Sequence, residues 1–73
     1  MARHAVVAEV AGTVFRVDAA VGAKVEEGDS VVTLESMKVE IPVSAPAGGT
    51  VAEILVEEGD QVSDGDEVAV VEG

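Results

Sequence analysis

The chain has no cysteine, tryptophan or tyrosine, and its single aromatic residue is Phe15. Without cysteine, neither a disulfide nor a thiolate metal site can staple the fold. Four lysines and arginines stand against 15 aspartates and glutamates, a formal net charge of -11. Phosphate backbones are bound by clustered cations, so nucleic acid is not an expected partner. No apolar run approaches the roughly 18 residues that a membrane span needs, so no membrane partner is expected. Met1-Ala2-Arg3-His4 is followed too soon by Glu9 to be a secretory signal, and the expected location is the cytoplasm. The one histidine, His4, lies near a terminus expected to fray, and no Ser/His/Asp or Cys/His set accompanies it. Autonomous enzyme activity is therefore not expected. Scattered carboxylates such as Asp60 and Asp66 read as turn residues, with no metal site among them.

What remains is short, apolar and rich in valine. Seventy-three residues make one domain, with no room for both a core and a deep catalytic cleft. At 48% apolar the chain is not disordered by composition. Its 17 valines favour strands, because a β-branched side chain is already restricted at χ1 and packs well on a pleated surface. The acidic excess keeps such a chain soluble and apart from its own copies; a basic docking surface on a partner enzyme is the other reading.

Sliding the sequence against itself by 37 positions reveals an ungapped internal match. Gly12-Thr13-Val14 falls on Gly49-Thr50-Val51, and Val17 on Ile54. Gly22, Val25, Gly28-Asp29, Val31 and Glu35 fall on Gly59, Val62, Gly65-Asp66, Val68 and Glu72, while Val6 and Ala8 fall on Val43 and Ala45. Glycines in step keep the turns in step, and valines in step keep the inward face in step. The repeats run over about 4–36 and 41–73, inside one domain spanning 1–73 with its core at about 6–71. Two units are too few for an open solenoid, so each must bury the other's apolar face. Short strand-like runs between Gly/Asp turns, with no uninterrupted helical stripe, predict an all-β sandwich or flattened barrel. Val14 and Ile54 are expected to face inward, and Arg16 and Glu53 outward; the alternation blurs at Ala69-Val70-Val71.

Between the two units lies Leu34-Glu35-Ser36-Met37-Lys38-Val39-Glu40-Ile41, without a glycine or proline to mark a turn. The duplication implies the turn, placing Lys38 at or near a hairpin tip. No cation adjoins Lys38 to activate it as a Schiff-base nucleophile, since its charged neighbours are Glu35 and Glu40. An exposed lysine on a tight turn suits the role of substrate, acylated by another enzyme to leave a flexible arm on a rigid support. The plainer alternative is a solubilising tip residue. Met37 reads in three ways, as a core filler, as a recognition element, or as neither.

The stretch Glu35-Ser36-Met37-Lys38-Val39-Glu40 resembles the attachment motif of the biotinyl/lipoyl carrier family, most strongly that of biotin carboxyl carrier domains. Ile41-Pro42-Val43, the segment Ala45 to Val51, and the Glu57-Glu58-Gly59-Asp60 and Asp64-Gly65-Asp66 turns extend the likeness over nearly the whole chain. The resemblance implies two four-stranded antiparallel sheets related by a quasi-twofold axis, with the modified lysine on one tip and the termini opposite. It implies biotin as a covalent cofactor on Lys38, joined by biotin protein ligase, with Glu35, Ser36, Met37 and Val39 as the recognition context. A biotin carboxylase and a carboxyltransferase are then the partners between which a carboxyl group is carried, and the protein has no activity alone. Two features depart from the pattern. Biotin carriers usually have methionine on both sides of the lysine, and here Val39 follows it. Lipoyl carriers typically have aspartate before and alanine after, so Met37 still points to biotin. The inserted thumb of some biotin carriers has no counterpart, because Asp18-Ala19-Ala20-Val21 aligns without a gap to Leu55-Val56-Glu57-Glu58. A lipoyl carrier of a 2-oxoacid dehydrogenase or glycine-cleavage system is the first alternative, and an unmodified acidic interaction module the second. The initial Met and the lack of a Pro/Ala-rich linker fit a free-standing carrier.

Overall fold

The offset of 37 positions reappears as strand order. A computed structural model describes residues 2–73 and contains eight strands. They are β1 (Arg3–Val7), β2 (Gly12–Val17), β3 (Lys24–Val25), β4 (Ser30–Ser36), β5 (Val39–Ser44), β6 (Gly49–Ile54), β7 (Gln61–Val62) and β8 (Glu67–Glu72). One sheet runs β1-β8-β6-β3 and the other β5-β4-β2-β7, all antiparallel. Exchanging β1–β4 for β5–β8 turns one order into the other, so each half contributes strands to both sheets. Among the described residues, no helix is long and apolar enough to cross a membrane.

The inward faces meet in a core made almost wholly of valine. Val6, Val14, Val31, Val32, Leu34, Val51, Val68 and Val71 are the largest fully buried side chains. Burying each removes apolar surface worth roughly 1.5–3 kcal/mol, the main force holding so small a sandwich closed. The expected inward and outward assignments hold: Val14 is buried and Ile54 packs against the core, while Arg16 and Glu53 are exposed.

Four β-bulges interrupt the alternation, and they too come in pairs 37 residues apart. Phe15 is the extra residue of β2 against β4, and Ala52 the extra residue of β6 against β8. Val31 is extra on β4 against β5, and Val68 on β8 against β1. A bulge sets two residues opposite one, so consecutive side chains can share a face. Both Val31-Val32 and Val68-Ala69 are fully buried for this reason. Bulges at Ala52 and Val68 account for the blurred alternation near Ala69-Val70-Val71.

Glycine acts in two ways here. At Gly22, Gly28, Gly59 and Gly65 the backbone is at φ +93°, the third position of a turn whose first carbonyl accepts from the fourth N–H. That is type II geometry, which asks for glycine there. In three of these turns an aspartate closes the loop: Asp29, Asp60 and Asp66 accept from the N–H groups of Glu26, Glu57 and Ser63 at 2.8–2.9 Å. At Gly12 and Gly49 the reason is crowding, since an added Cβ would lie 3.0 Å from the Glu35 carbonyl oxygen and 2.2 Å from that of Glu72.

The expected fraying at His4 does not occur. His4 lies within β1 opposite Val71, and beyond it Ala2 and Gly73 exchange two backbone hydrogen bonds of 3.0 Å.

Candidate functional site

The β4–β5 hairpin closes as tightly as a hairpin can. Ser36 pairs with Val39, leaving Met37 and Lys38 as a two-residue turn at φ 52° and 66°. Two successive positive φ values are the signature of a type I′ turn, whose twist matches that of the flanking strands. Such turns favour Asn-Gly, because a Cβ in left-handed backbone clashes with the following carbonyl. Here the sequence places Met-Lys instead. Composition therefore gave no sign of the turn, and the strain falls on the residue singled out as the acyl acceptor.

The turn projects its side chains away from the core. Met37 is 93% exposed and Val39 58%, while Lys38 and Glu35 are exposed and Ser36 is half-buried. Of the three readings of Met37, core filling is excluded. The other candidate amine, Lys24, lies in the two-residue strand β3 opposite Thr50 and occupies no turn apex. The structure thus gathers Glu35, Ser36, Met37, Lys38 and Val39 on one tip and keeps Lys24 off it.

Glu40, which sequence reasoning treated only as a neighbour, stands directly opposite Glu35. Like charges facing across a ladder repel. The equivalent pair at the other end is Arg3 opposite Glu72, where Arg3 also donates to Glu53. Among the described residues neither Glu35 nor Glu40 has an ion-pair partner. The hairpin therefore presents an acidic pair with no direct ion-pair partner beside the lysine, Arg16 attracting Glu40 only at longer range. Comparing the repeats charge by charge would have found it.

Further down β4, a polar cluster fastens the hairpin to β2. Asp18 accepts from Ser30 Oγ at 2.7 Å, from Thr33 Oγ1 at 2.5 Å and from Arg16 Nε. Burial alone would push the Asp18 carboxyl up; the hydrogen bonds from Thr33, Arg16 and Ser30 together outweigh it and hold the group below its ordinary value. Arg16 is correspondingly raised, first by its hydrogen bond to Asp18 and then by that charge. The second repeat has Leu55 and Val70 where the first has Asp18 and Thr33, so only the sheet bearing the lysine hairpin carries this clasp.

Among the described residues no group of three metal-ligating side chains occurs. The site consists of an exposed amine on a rigid, strained apex with an acidic pair behind it. Chemically that arrangement can accept an acyl group and hold it clear of the protein.

A family model described as Biotin-requiring enzyme, covering biotin and lipoyl attachment, matches residues 4–71. The chain belongs to this family. As a biotinyl/lipoyl carrier domain it is a non-catalytic component with a covalent cofactor of the biotin or lipoate type. The biotin/lipoyl attachment protein of Bacillus subtilis is 43% identical over 58 residues, 80% of each chain. The biotinylated protein TB7.3 homolog of Mycobacterium leprae is 42% identical over 64 residues, 88% of this chain and 90% of that one. Among solved structures, the Kluyveromyces lactis urea carboxylase superposes with a TM-score of 0.92 at 41% identity, over 97% of this carrier domain but 6% of that chain. The lipoyl domain of the Azotobacter vinelandii 2-oxoglutarate dehydrogenase complex gives a TM-score of 0.68 at 33% identity, over 88% of this domain and 81% of that one. Homologous domains thus occur both as small proteins and within biotin-dependent carboxylases.

Proposed function

We propose that this carrier is a biotin carboxyl carrier, biotinylated on Lys38 by biotin protein ligase, and that it takes a carboxyl group from a biotin carboxylase to a carboxyltransferase. The observation that carries the reading is Lys38 at the apex of the two-residue β4–β5 turn, with the 93% exposed Met37 before it. An exposed primary amine on a fixed apex fits amide formation, and nothing around it would have to move to admit an activated acyl group. Biotin, once attached, supplies a ureido ring that can hold a carboxyl group. The chain's own part is positional. The type I′ turn fixes where the arm is rooted, the hairpin holds that root away from the core, and amide formation removes the lysine charge. Glu35, Ser36, Met37 and Val39 form the surface that the ligase reads. The 42% identity to a relative named as a biotinylated protein supports biotin over lipoate.

The test is a paired incubation of purified, unmodified protein. One arm contains biotin ligase, biotin and ATP; the other contains lipoate ligase, lipoate and ATP. Intact-mass and peptide mass spectrometry then locate the adduct. A biotinyl group on Lys38 alone is the expected result. Exclusive lipoylation there, or equal biotinylation of Lys24, refutes it.

A further inference from the structure

Resting on the attachment reading above, we propose that this carrier has its own docking groove for the ring end of the arm on Lys38, at the seam between β1 and β5. Successive residues of a strand face opposite ways, so Val39, Ile41 and Val43 share the inner face of β5. Their exposure falls along that line: Val39 is 58% exposed, Ile41 half-buried and Val43 6% exposed. An apolar ramp therefore leads from the residue after Lys38 toward the core. It ends in a groove of about 190 Å³ lined by Ile41, Pro42 and Val43 on one bank and by Val7 and Val10 on the other, with buried Leu34 also in its wall.

The molecule contains its own control for this surface. The quasi-twofold axis carries every position at the lysine turn onto one at the opposite end, where Lys24 lies within β3 and not on a turn. Val10 maps onto Ala47, Val39 onto Ala2 and Ile41 onto His4, while Val7 and its counterpart Ser44 both line this one groove near the axis. The first three are larger aliphatic residues at the lysine end and small or polar at the other. Val7 and Val10 remain 37% and 38% exposed, so demands of the core do not explain their identity. Apolar surface has been kept at the one end where an acyl arm would be rooted.

Size and chemistry choose the occupant. Three residues of strand advance about 10 Å from Lys38 to Ile41, a distance that a lysine side chain extended by a valeryl chain spans. Whole small molecules are usually held in pockets of about 300–1,000 Å³, so this groove suits a ring and not a separate ligand. The thioether edge of a biotin ring matches the valines. Its ureido N–H groups can reach an acceptor at the near rim, the Glu9 carboxylate, which also lines the groove. The wider groove on the other flank of the hairpin includes Met37, Val62 and Ala11, but its remaining side chains, Thr13, Glu35, Ser36, Gln61 and Ser63, are polar. Small buried area makes the docking reversible, so the ring rests on the carrier between visits to its partners.

The experiment compares unmodified protein with protein shown by intact mass to be fully biotinylated, both labelled at valine and isoleucine methyl groups. Expected are methyl shift changes at Val7, Val10 and Ile41, with nuclear Overhauser contacts to the ring protons. In a Val7→Ser/Val10→Ala variant, copied from the quasi-twofold counterparts Ser44 and Ala47, those contacts should vanish while mass still shows complete biotinylation and circular dichroism is unchanged. Full biotinylation with shifts confined to residues 36–39 overturns the groove and leaves the attachment site standing. No biotin adduct by mass overturns the attachment reading, and the groove with it.

Discussion

Replacing Met37-Lys38 with Asn-Gly is predicted to make the protein more stable while abolishing its modification. Both residues hold positive φ, 52° and 66°. Left-handed backbone costs a residue with a Cβ roughly 1–2 kcal/mol, whereas glycine adopts it freely and asparagine more readily than most. Against that gain, glycine enlarges the entropy of the unfolded chain by roughly 0.4–1 kcal/mol. The double change should therefore net about 1 kcal/mol, concentrated at Lys38→Gly. Unfolding entropy near 2.1 cal/mol/K per residue gives about 150 cal/mol/K for 73 residues, so the midpoint should rise by about 6–7 °C. Thermal melts by far-UV circular dichroism suit a chain without tryptophan. Lys38→Ala, which keeps a Cβ in the same backbone, should move the midpoint little. If Asn-Gly leaves stability unchanged or lowers it, the turn is not strained, and the lysine is not held at a cost to the fold.

Other consequences follow from the packing and the polar clasp. Leu34→Ala empties the largest fully buried side chain from a core of short valines that cannot reach across the void, and should cost about 2–5 kcal/mol in urea denaturation. Gly28→Val, strained only by its φ of +93°, should cost about 1–3 kcal/mol. Gly49→Ala should cost more than Gly28→Val, since its Cβ would meet the Glu72 carbonyl oxygen at 2.2 Å and split β6 from β8. Asp18 ionises more easily folded than unfolded, so its contribution is fully present above its ordinary value of 3.8 and fades as pH falls through the lower folded value. In Asp18→Asn that part of the acid slope should flatten when stability is followed by denaturant titration from pH 6 downward.

Much of this fold was written in the spacing of glycine, aspartate and valine. Gly12 and Gly49 fall in step because the same carbonyl crowding recurs in each repeat, and Gly28-Asp29 and Gly65-Asp66 because the same turns do. Lys38 was legible as a tip residue only through the duplication, since a type I′ turn built from Met-Lys carries none of the usual turn residues. The bulges at Phe15, Val31, Ala52 and Val68 were hidden because a bulge is a property of two strands in register, and neither strand shows it alone. His4 was misjudged because the Ala2–Gly73 pairing that ties down its strand joins residues far apart in sequence. The groove by Val7 and Val10 was hidden for the same reason: its banks belong to different repeats.

The pairing of Ala2 with Gly73 is the quasi-twofold counterpart of Val39 with Ser36 at the lysine turn. Topologically the barrel is thus a closed ring of chain with two equivalent corners, one bridged by Met37-Lys38 and the other open. Whatever is spliced onto either end enters through that open corner, in a molecule 36 Å long, leaving the Met37-Lys38 corner unobstructed. Such a unit can be inserted into the middle of a large polypeptide as easily as appended to it, because its entry and exit strands lie side by side. Relocating the cut should also be possible: a short link from Gly73 to Ala2 and a break elsewhere would yield a permuted barrel with the Lys38 turn undisturbed.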